Sequence, residues 1–183
     1  MPIRHAEPDR DGAACAAIYA PYVAHSAVSF EEVALTAAQF ATRIAETSAR
    51  YPWLVLEDDG RVVGYAYATQ HRARAAYRWA VEVGIYVDGA HRRRGAGRQL
   101  YEALFGLLCR QQLRIVLAGV TLPNDASIGL HRALGFEHVG TYPAIGWKAG
   151  AWHDVSWWQL QLAPDDEDGG DRPPRDPLPP PRL

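Results

Sequence analysis

The chain has 183 residues, a formal net charge of −2, and 48% apolar and 22% charged residues. This length fits one domain with its own core, and the slightly negative charge argues against a general nucleic-acid-binding protein. The two cysteines, Cys15 and Cys109, lie in apolar stretches without His or Cys at metal-ligand spacing, so we expect reduced thiols and no metal site. We expect a cytoplasmic protein without membrane contact, because no apolar run approaches a membrane span and the N-terminus lacks a signal core.

The first half of the chain predicts two helices, a short strand and a hairpin. Apolar residues at helical spacing after Pro8 predict a helix over residues 9–24. Residues 27–33, AVSFEEV, are typical of a short strand. A capping box at residues 36–39, TAAQ, starts a second helix that we expect to run to about residue 50. Two apolar segments flank the turn DDG at residues 58–60 and predict an antiparallel hairpin.

The second half predicts a mixed sheet with helices packed on it. Residues 81–87, VEVGIYV, alternate between apolar and other side chains, which indicates a strand with one packed face. A glycine loop and an amphipathic helix follow, then the buried strand RIVLAGV and a helix that begins at PNDAS. Residues 138–147 and 153–162 predict the last two strands. Because a hairpin precedes a β-loop-α-β unit, we expect an α/β (α+β) fold.

The end of the chain differs in composition from the rest. Residues 164–183 are rich in proline and acidic side chains and contain little to bury. Such a segment cannot form a packed core. We therefore expect one domain over residues 1–163 and a disordered or extended tail over residues 164–183.

The loop HRRRGAGRQL at residues 91–100 predicts an anion site. Gly95 and Gly97 let the main chain approach a phosphate, and the first turn of the next helix supplies free N–H groups and a positive dipole end. Four arginines add charge: Arg92, Arg93, Arg94 and Arg98. The loop is not a P-loop, since it lacks Gly-Lys-Ser/Thr, and the third glycine of a dinucleotide fingerprint would fall on Leu100. The alternative is a basic turn that only begins a helix.

The spacing Arg92-x-x-Gly95-x-Gly97 resembles the pyrophosphate-binding loop of the GNAT acyltransferases. Further segments resemble the phosphinothricin N-acetyltransferase branch of that family, and the resemblance covers about residues 3–162. The segments are residues 51–55 (YPWLV), 75–77 (AAY), 122–125 (LPND), 130–136 (LHRALGF) and 152–155 (WHDV).

The resemblance implies a fold, a reaction and a partner. The fold is the GNAT fold, a mixed and mostly antiparallel sheet that is splayed in the middle and flanked by helices. The reaction is acetyl transfer from acetyl-CoA to the α-amino group of a small glutamate-like amino acid, such as phosphinothricin, methionine sulfoximine or methionine sulfone. The branch also implies a homodimer.

The resemblance further implies roles for single residues. Glu82, on the less apolar face of its strand, corresponds to the general base that deprotonates the amine. The segment Ile85, Tyr86 and Val87 would receive the thioester carbonyl, with the Val87 amide as main donor. His131 would protonate the leaving thiolate or contact the substrate, and Tyr86 and Tyr77 are the rival proton donors. Asn124 would contact the pantetheine arm or the sulfur, or would only cap a helix. The residues expected to bind the cofactor through the loop are Arg92, Arg93, Arg94, Gly95, Ala96, Gly97 and Arg98.

The arginine-rich segment before the catalytic strand predicts a site for the amino-acid substrate. Its arginines can pair with a carboxylate and a phosphinate, and its aromatic residues can form a wall. The alternative is a solvated basic loop. The residues are Arg72, Arg74, Tyr77, Arg78 and Trp79, with Val28 and Phe30 contributed by the same chain or by a partner.

Two other functions are compatible with the pattern. The first is acetylation of a peptide N-terminus, against which the three arginines favour a small dianionic substrate. The second is a non-catalytic acetyl-CoA-binding module, against which Glu82, Asn124 and the intact loop argue together.

Overall fold

The computed structural model describes residues 1–162 and 175–183, which form a seven-stranded sheet with four α-helices. The sheet order is β1-β2-β3-β4-β5-β7-β6, and every neighbouring pair is antiparallel except β4 and β5. This mixed, mostly antiparallel sheet confirms the predicted fold class. The elements are β1 (Ile3–His5), α1 (Pro8–His25), α2 (Ala37–Ser48), β2 (Trp53–Asp58), β3 (Arg61–Gln70), β4 (Ala80–Val87), α3 (Ala96–Arg110), β5 (Ile115–Thr121), α4 (Asp125–Ala133), β6 (Glu137–Lys148) and β7 (Ala151–Gln161).

The predicted strand at residues 27–33 is wrong. Residues 26–36 form a loop between α1 and α2, and the ammonium of Lys148 holds it in place. The Lys148 Nζ donates hydrogen bonds to the carbonyl oxygens of Val23 at 2.8 Å, Ser29 at 2.5 Å and Glu31 at 2.8 Å. A buried ammonium group therefore satisfies the carbonyl groups of Ser29 and Glu31, which in a strand would have bonded to a neighbouring strand.

Each face of the sheet has its own packing layer. On one face, Leu100 and Leu104 of α3 pack with Leu54, Val81 and Val116 of the strands. The opposite face is covered by α1 and α2, through a cluster that includes Tyr19, Phe40, Ile44, Trp53 and Tyr65. Because side chains alternate along a strand, β4 turns its valines and isoleucine toward α3 and its other residues toward α1.

The sheet opens between its two parallel strands. β4 and β5 pair only from Ala80 with Ile115 to Glu82 with Leu117, although β4 continues to Val87. The amide of Asp88 donates to Val63 of β3 at 2.9 Å. Since successive amides point to opposite sides of a strand, the amides of Ile85 and Val87 point into this gap. The gap begins directly after Glu82.

The end of the chain contacts the domain. Residues 175–183 have neither helix nor strand, and the amide of Leu178 donates to the carbonyl of Gln111 at 2.9 Å. The predicted tail also covers residues 164–174, which lie outside the described residues. The domain boundary at residue 163 stays a prediction.

Other sequence-based expectations concern the thiols, metals and the membrane. Cys15 and Cys109 form no disulfide within the described part of the chain, and burial raises the pKa of the Cys15 thiol to about 12. Within residues 1–162 and 175–183, there is no cluster of three or more side chains that could hold a metal ion. In the same described part of the chain, every helix is too short or too polar to cross a membrane.

A buried ion pair joins β1 to α1 and gives a stability prediction. Arg4 donates from Nη1 to Asp11 Oδ2 at 2.6 Å and from Nη2 to Asp11 Oδ1 at 2.7 Å, and Asp11 is 1% exposed. Burial acts to raise the pKa of Asp11, but hydrogen bonds from Arg4 and from the Glu7 amide outweigh it and hold the pKa below its ordinary value. A depressed carboxyl pKa stabilises the fold above the unfolded pKa, and this contribution is lost as the pH falls through the folded value.

We expect Asp11→Asn to lower the free energy of unfolding by about 2–3 kcal/mol near neutral pH, because it removes the buried carboxylate that pairs with Arg4 and leaves only the more exposed contacts with Glu57 and Glu7. The difference from wild type should shrink as the pH falls below about 4, the ordinary carboxyl pKa, and should vanish below the lower pKa that Asp11 has in the folded protein. Urea denaturation near neutral pH and below about pH 4 measures this difference in the free energy of unfolding. Asp9→Asn, an exposed change in the same helical turn, is the control; an equal loss in both variants would contradict the assignment.

Candidate active site

The glycine loop turns sharply before α3 begins. Arg93 has φ +60° and Gly95 has φ +78°, so two residues of the loop are left-handed. This conformation is easy for Gly95 and strained for most side chains. The amide of Gln99 donates to the carbonyl of Gly95 at 3.0 Å, so the helical ladder starts there. The earlier first-turn amides, Ala96 to Arg98, have no partner within the helix and face the loop.

The loop carries positive charge that neighbouring residues leave uncompensated. Arg92, Arg93 and Arg94 are exposed, and among the described residues none of them pairs with an acidic side chain. The guanidinium of Arg92 lies 5.0 Å from the ring centre of Tyr22. Arg98 is tied to Glu102 at 3.1 Å. Free amides beside unpaired guanidinium groups form a site suited to an anion with several oxygens.

The loop is continuous with the gap in the sheet. A Cβ atom added at Gly97 would meet Leu130 of α4 at 3.1 Å and Ile85 of β4 at 3.5 Å. The start of α3 therefore lies against the half of β4 that β5 leaves unpaired. An extended ligand held at the loop can follow this gap from Val87 toward Glu82.

The Val87 amide, expected to be the main hydrogen-bond donor to the thioester carbonyl, contacts α1. The Tyr22 hydroxyl donates to the Val87 carbonyl at 2.7 Å, and the Val87 amide donates to that hydroxyl at 3.3 Å. A ligand carbonyl reaches this amide only by displacing the tyrosine. The Ile85 amide points into the gap beyond the last residue that pairs with β5.

Glu82 lies where the gap begins and has a partner that sequence analysis missed. Its Oε1 atom is 2.8 Å from His71 Nδ1, and 36% of its side chain is exposed. His71 follows directly after β3. The centre of its ring lies 5.8 Å from the ring centre of Tyr77 and 6.4 Å from that of Trp157. The register Thr69 to Glu82 puts residue 71 on the same side of the hairpin as Glu82. Only that register, which the sequence pattern does not define, could have revealed the pair.

Aromatic side chains surround Glu82 on the α1 side of the sheet. A Cβ added at Gly84 would meet the Tyr67 ring at 2.7 Å, so glycine is needed where Tyr67 crosses β4. The ring centres of Trp157 and Tyr142 lie 6.3 Å apart. The buried Nε1 atom of Trp157 has no hydrogen-bond partner among the described residues. Phe30 packs 6.3 Å from His153 of its own chain. The rings of Tyr67, Tyr77 and Trp157 thus lie around one carboxylate and one imidazole.

The five residues predicted to bind substrate divide into three groups. Tyr77 lies against His71 and therefore beside Glu82. Arg72 and Arg74 are exposed in the same segment. Arg78 instead donates to Asp176 at 2.6 Å, and Trp79 Nε1 donates to the carbonyl of Arg175 at 2.7 Å. These last two side chains contact the C-terminal segment rather than the pocket.

Asn124 and His131 both belong to α4. Asn124 Oδ1 accepts a hydrogen bond from the Ser127 amide at 3.2 Å, so this residue caps the helix. His131 is 2% exposed, and its Nδ1 lies 2.7 Å from the Ser127 carbonyl, to which it donates. Burial lowers the pKa of His131 although that hydrogen bond opposes the effect. Its imidazole is therefore neutral near pH 7, and its role as an acid stays a prediction.

Tyr86 faces α1. Its ring packs 4.8 Å from Tyr19 and 5.1 Å from Tyr22. Burial raises the pKa of Tyr86 well above its ordinary value, so the phenol keeps its proton across the working pH range. The predicted catalytic role of Tyr86 is therefore compatible only with proton donation.

An opened sheet whose gap joins a basic glycine turn to a carboxylate is the architecture of GNAT-type acetyltransferases. The sequence model of the protein family described as "Acetyltransferase (GNAT) domain" matches residues 3–157. The chain therefore belongs to the GNAT acetyltransferase family, and it is an enzyme of that class. This finding confirms the family that the loop spacing predicted.

Individual relatives are similar over most of their length. A phosphinothricin N-acetyltransferase of Streptomyces viridochromogenes is 42% identical over 149 residues, which is 81% of each chain. An L-methionine sulfoximine/L-methionine sulfone acetyltransferase of Salmonella typhimurium is 37% identical and covers 90% of this chain and 99% of its own. The structure of a phosphinothricin acetyltransferase from Sinorhizobium meliloti in complex with AcCoA has a TM-score of 0.84 at 33% identity, covering 96% of this chain and 98% of that one.

Proposed function

We propose that the enzyme transfers an acetyl group from acetyl-CoA to the α-amino group of a small glutamate-like amino acid. The substrates are phosphinothricin, methionine sulfoximine or methionine sulfone, which are the compounds in the names of its relatives. The observation that carries the proposal is the position of Glu82, at the end of the gap that begins at the glycine loop.

The residues of the loop fit the diphosphate of acetyl-CoA. The amides of Ala96, Gly97 and Arg98 and the unpaired guanidinium groups of Arg92, Arg93 and Arg94 bind its oxygens. Acetyl-CoA supplies the acetyl group as a thioester, which an amine can attack. The Ile85 amide donates to the acyl oxygen as it gains negative charge, and the Val87 amide joins it only once the Tyr22 hydroxyl is displaced. Asn124 contacts the pantetheine arm.

The remaining residues handle the amine and its acidic groups. The substrate amine arrives protonated, and Glu82 takes a proton from it, either directly or through water, so that the nitrogen lone pair becomes available. Arg72 and Arg74 pair with the carboxylate and the phosphinate or sulfone oxygens. Tyr86 is the first proposed donor of the proton that the departing sulfur takes up, and His131 is the second, which would have to bind a proton before it could act.

A thiol-release assay with acetyl-CoA tests the proposed substrate class. The panel contains phosphinothricin, methionine sulfoximine, methionine sulfone, glutamate and a peptide with a free N-terminus. We expect kcat/KM to be highest for the first three compounds. Acetylation of the peptide alone would replace the amino acid with a peptide N-terminus as acceptor. Binding of acetyl-CoA without turnover of any amine would indicate a binding module.

The partner of this enzyme is a second copy of the same chain. Large apolar side chains are exposed together on β6, an edge strand, and on its neighbour β7. Exposed apolar patches and long edge strands favour association. The patch borders the pocket, because Tyr142 packs against Trp157. Its members are Val139 at 54%, Tyr142 at 52%, Ile145 at 57%, Trp147 at 54% and Trp152 at 62% exposure.

We expect Trp152→Glu to convert a dimer into a monomer, because it places a charge in this apolar patch. Light scattering should give twice the chain mass of 20.2 kDa for wild type and the single-chain mass for the variant. Val33→Glu, a change at an apolar side chain that is 79% exposed outside the patch, is the control and should remain dimeric. A monomeric wild type, or a dimeric Trp152→Glu variant, would contradict this interface.

A further inference from the structure

His71 is the side chain that contacts the carboxylate of Glu82. Its Nδ1 atom lies 2.8 Å from Glu82 Oε1, and only 16% of its side chain is exposed. The rings of Tyr77 and Trp157 pack against the imidazole from two other elements of the fold. The imidazole is therefore held in one orientation at the carboxylate.

The chemistry of the two groups defines where the proton is. An ionised carboxylate can only accept hydrogen bonds. The Nδ1 atom of His71 therefore carries a hydrogen and donates a hydrogen bond to Oε1 of Glu82. Among the described residues, the second oxygen of Glu82 accepts no hydrogen bond. One oxygen is thus held by the histidine, while Oε2 is left to receive the proton of the amine.

We propose that His71 is a positioning residue that holds Oε1 of Glu82 and thereby aims the Oε2 atom at the substrate amine. This inference rests on the proposed function. In the reaction an N–H bond of the ammonium group breaks and an O–H bond forms at Oε2, so Glu82 becomes neutral and the amine keeps its lone pair. The Nδ1–H group of His71 stays on the histidine throughout.

The groups that face this pair come from three elements. Tyr67 of β3 lies next to Glu82, and burial raises the pKa of Tyr67 to about 12, so it stays neutral in the working range. Tyr77, in the turn at residues 75–77, contacts the imidazole, and Trp157 of β7 has no titratable group. Arg72 and Arg74 are exposed in the segment that follows His71.

The test uses the full chain with acetyl-CoA and its best amino-acid substrate. His71→Phe keeps the ring packing against Tyr77 and Trp157 but removes the donor. We expect kcat to fall roughly 10–100-fold, as for loss of a hydrogen bond to a charged group, while KM for acetyl-CoA is unchanged. The acidic limb of the pH profile of kcat/KM should move to higher pH, because the ionised carboxylate loses a stabilising donor. His71→Asn, which can donate from Nδ2 at a similar position, should recover most of kcat.

Two controls separate positioning from a structural role. His25→Phe, a change at an exposed histidine of α1, should leave kcat and the pH profile unchanged. In a Glu82→Gln background, His71→Phe should cause no further loss, because its effect passes through that carboxylate. An unchanged pH profile in His71→Phe, or an equal loss in both backgrounds, would overturn the inference. Full turnover by Glu82→Gln alone would instead overturn the proposed base, so the two failures are distinguishable.

Discussion

Replacing Glu82 by glutamine should lower kcat by roughly 10²–10⁴-fold, the range expected for loss of a general base. Glutamine has nearly the same shape as glutamate but cannot take a proton from an ammonium group. The Kd for acetyl-CoA should be unchanged, because the loop that binds the diphosphate lies at the far end of β4. Steady-state kinetics with the preferred amino acid and calorimetric titration with acetyl-CoA measure the two quantities.

The matched control is Glu46→Gln, a change of the same type at an exposed position of α2, which should keep full activity. Turnover of Glu82→Gln at the wild-type rate would mean that another group takes the proton. A parallel loss of acetyl-CoA affinity would mean that Glu82 supports the structure of the gap rather than the chemistry.

Replacing Gly97 by aspartate should weaken acetyl-CoA binding by about 100-fold or more. The new carboxylate would lie in the first turn of α3, where it repels the diphosphate at short range. The fold should tolerate the change, since an acidic side chain interacts favourably with the start of a helix. The nearest atom to an added Cβ is a methyl group of Leu130 at 3.1 Å, which can shift. Acetyl-CoA titration and the melting temperature separate the two effects.

Gly106→Asp is the control for this prediction. Gly106 is an exposed residue of the same helix, and a Cβ added there meets nothing within 4 Å. We expect it to bind acetyl-CoA like wild type. Equal affinity of Gly97→Asp and wild type would contradict a diphosphate site at the start of α3.

The helices could be predicted closely because their signals are local. Apolar spacing predicted residues 9–24 for a helix that spans Pro8–His25. The capping box at Thr36 and Gln39 is present, with both hydrogen bonds formed. The last two strands were also predicted, within two residues of the ends of β6 and β7.

The errors in the fold come from distant contacts. β1 has only three residues and exists because Ile3 to His5 pair with β2, which no local pattern signals. Residues 27–33 have strand-like composition, yet Lys148, more than a hundred positions away, binds the main chain of this loop. Tertiary context therefore overrode the local preference of this segment.

In the candidate site, too, features set by nearby residues could be predicted and contacts between distant residues could not. The loop at residues 92–98 and the place of Glu82 on the less apolar face of its strand depend on the spacing of nearby residues. The sequence could therefore predict both. His71 is eleven positions from Glu82 and meets it only through the register of β3 with β4. Arg78 and Trp79 were assigned to the substrate by their type, but contacts with residues 175 and 176 engage them elsewhere.

A crystal structure with acetyl-CoA and methionine sulfone would locate both substrates relative to the loop and to Glu82. We expect the diphosphate within hydrogen-bonding distance of the amides of Ala96, Gly97 and Arg98, and the amine of the sulfone beside Glu82 Oε2. A diphosphate bound elsewhere, or an amine that approaches the thioester from a side without Glu82, would contradict this arrangement.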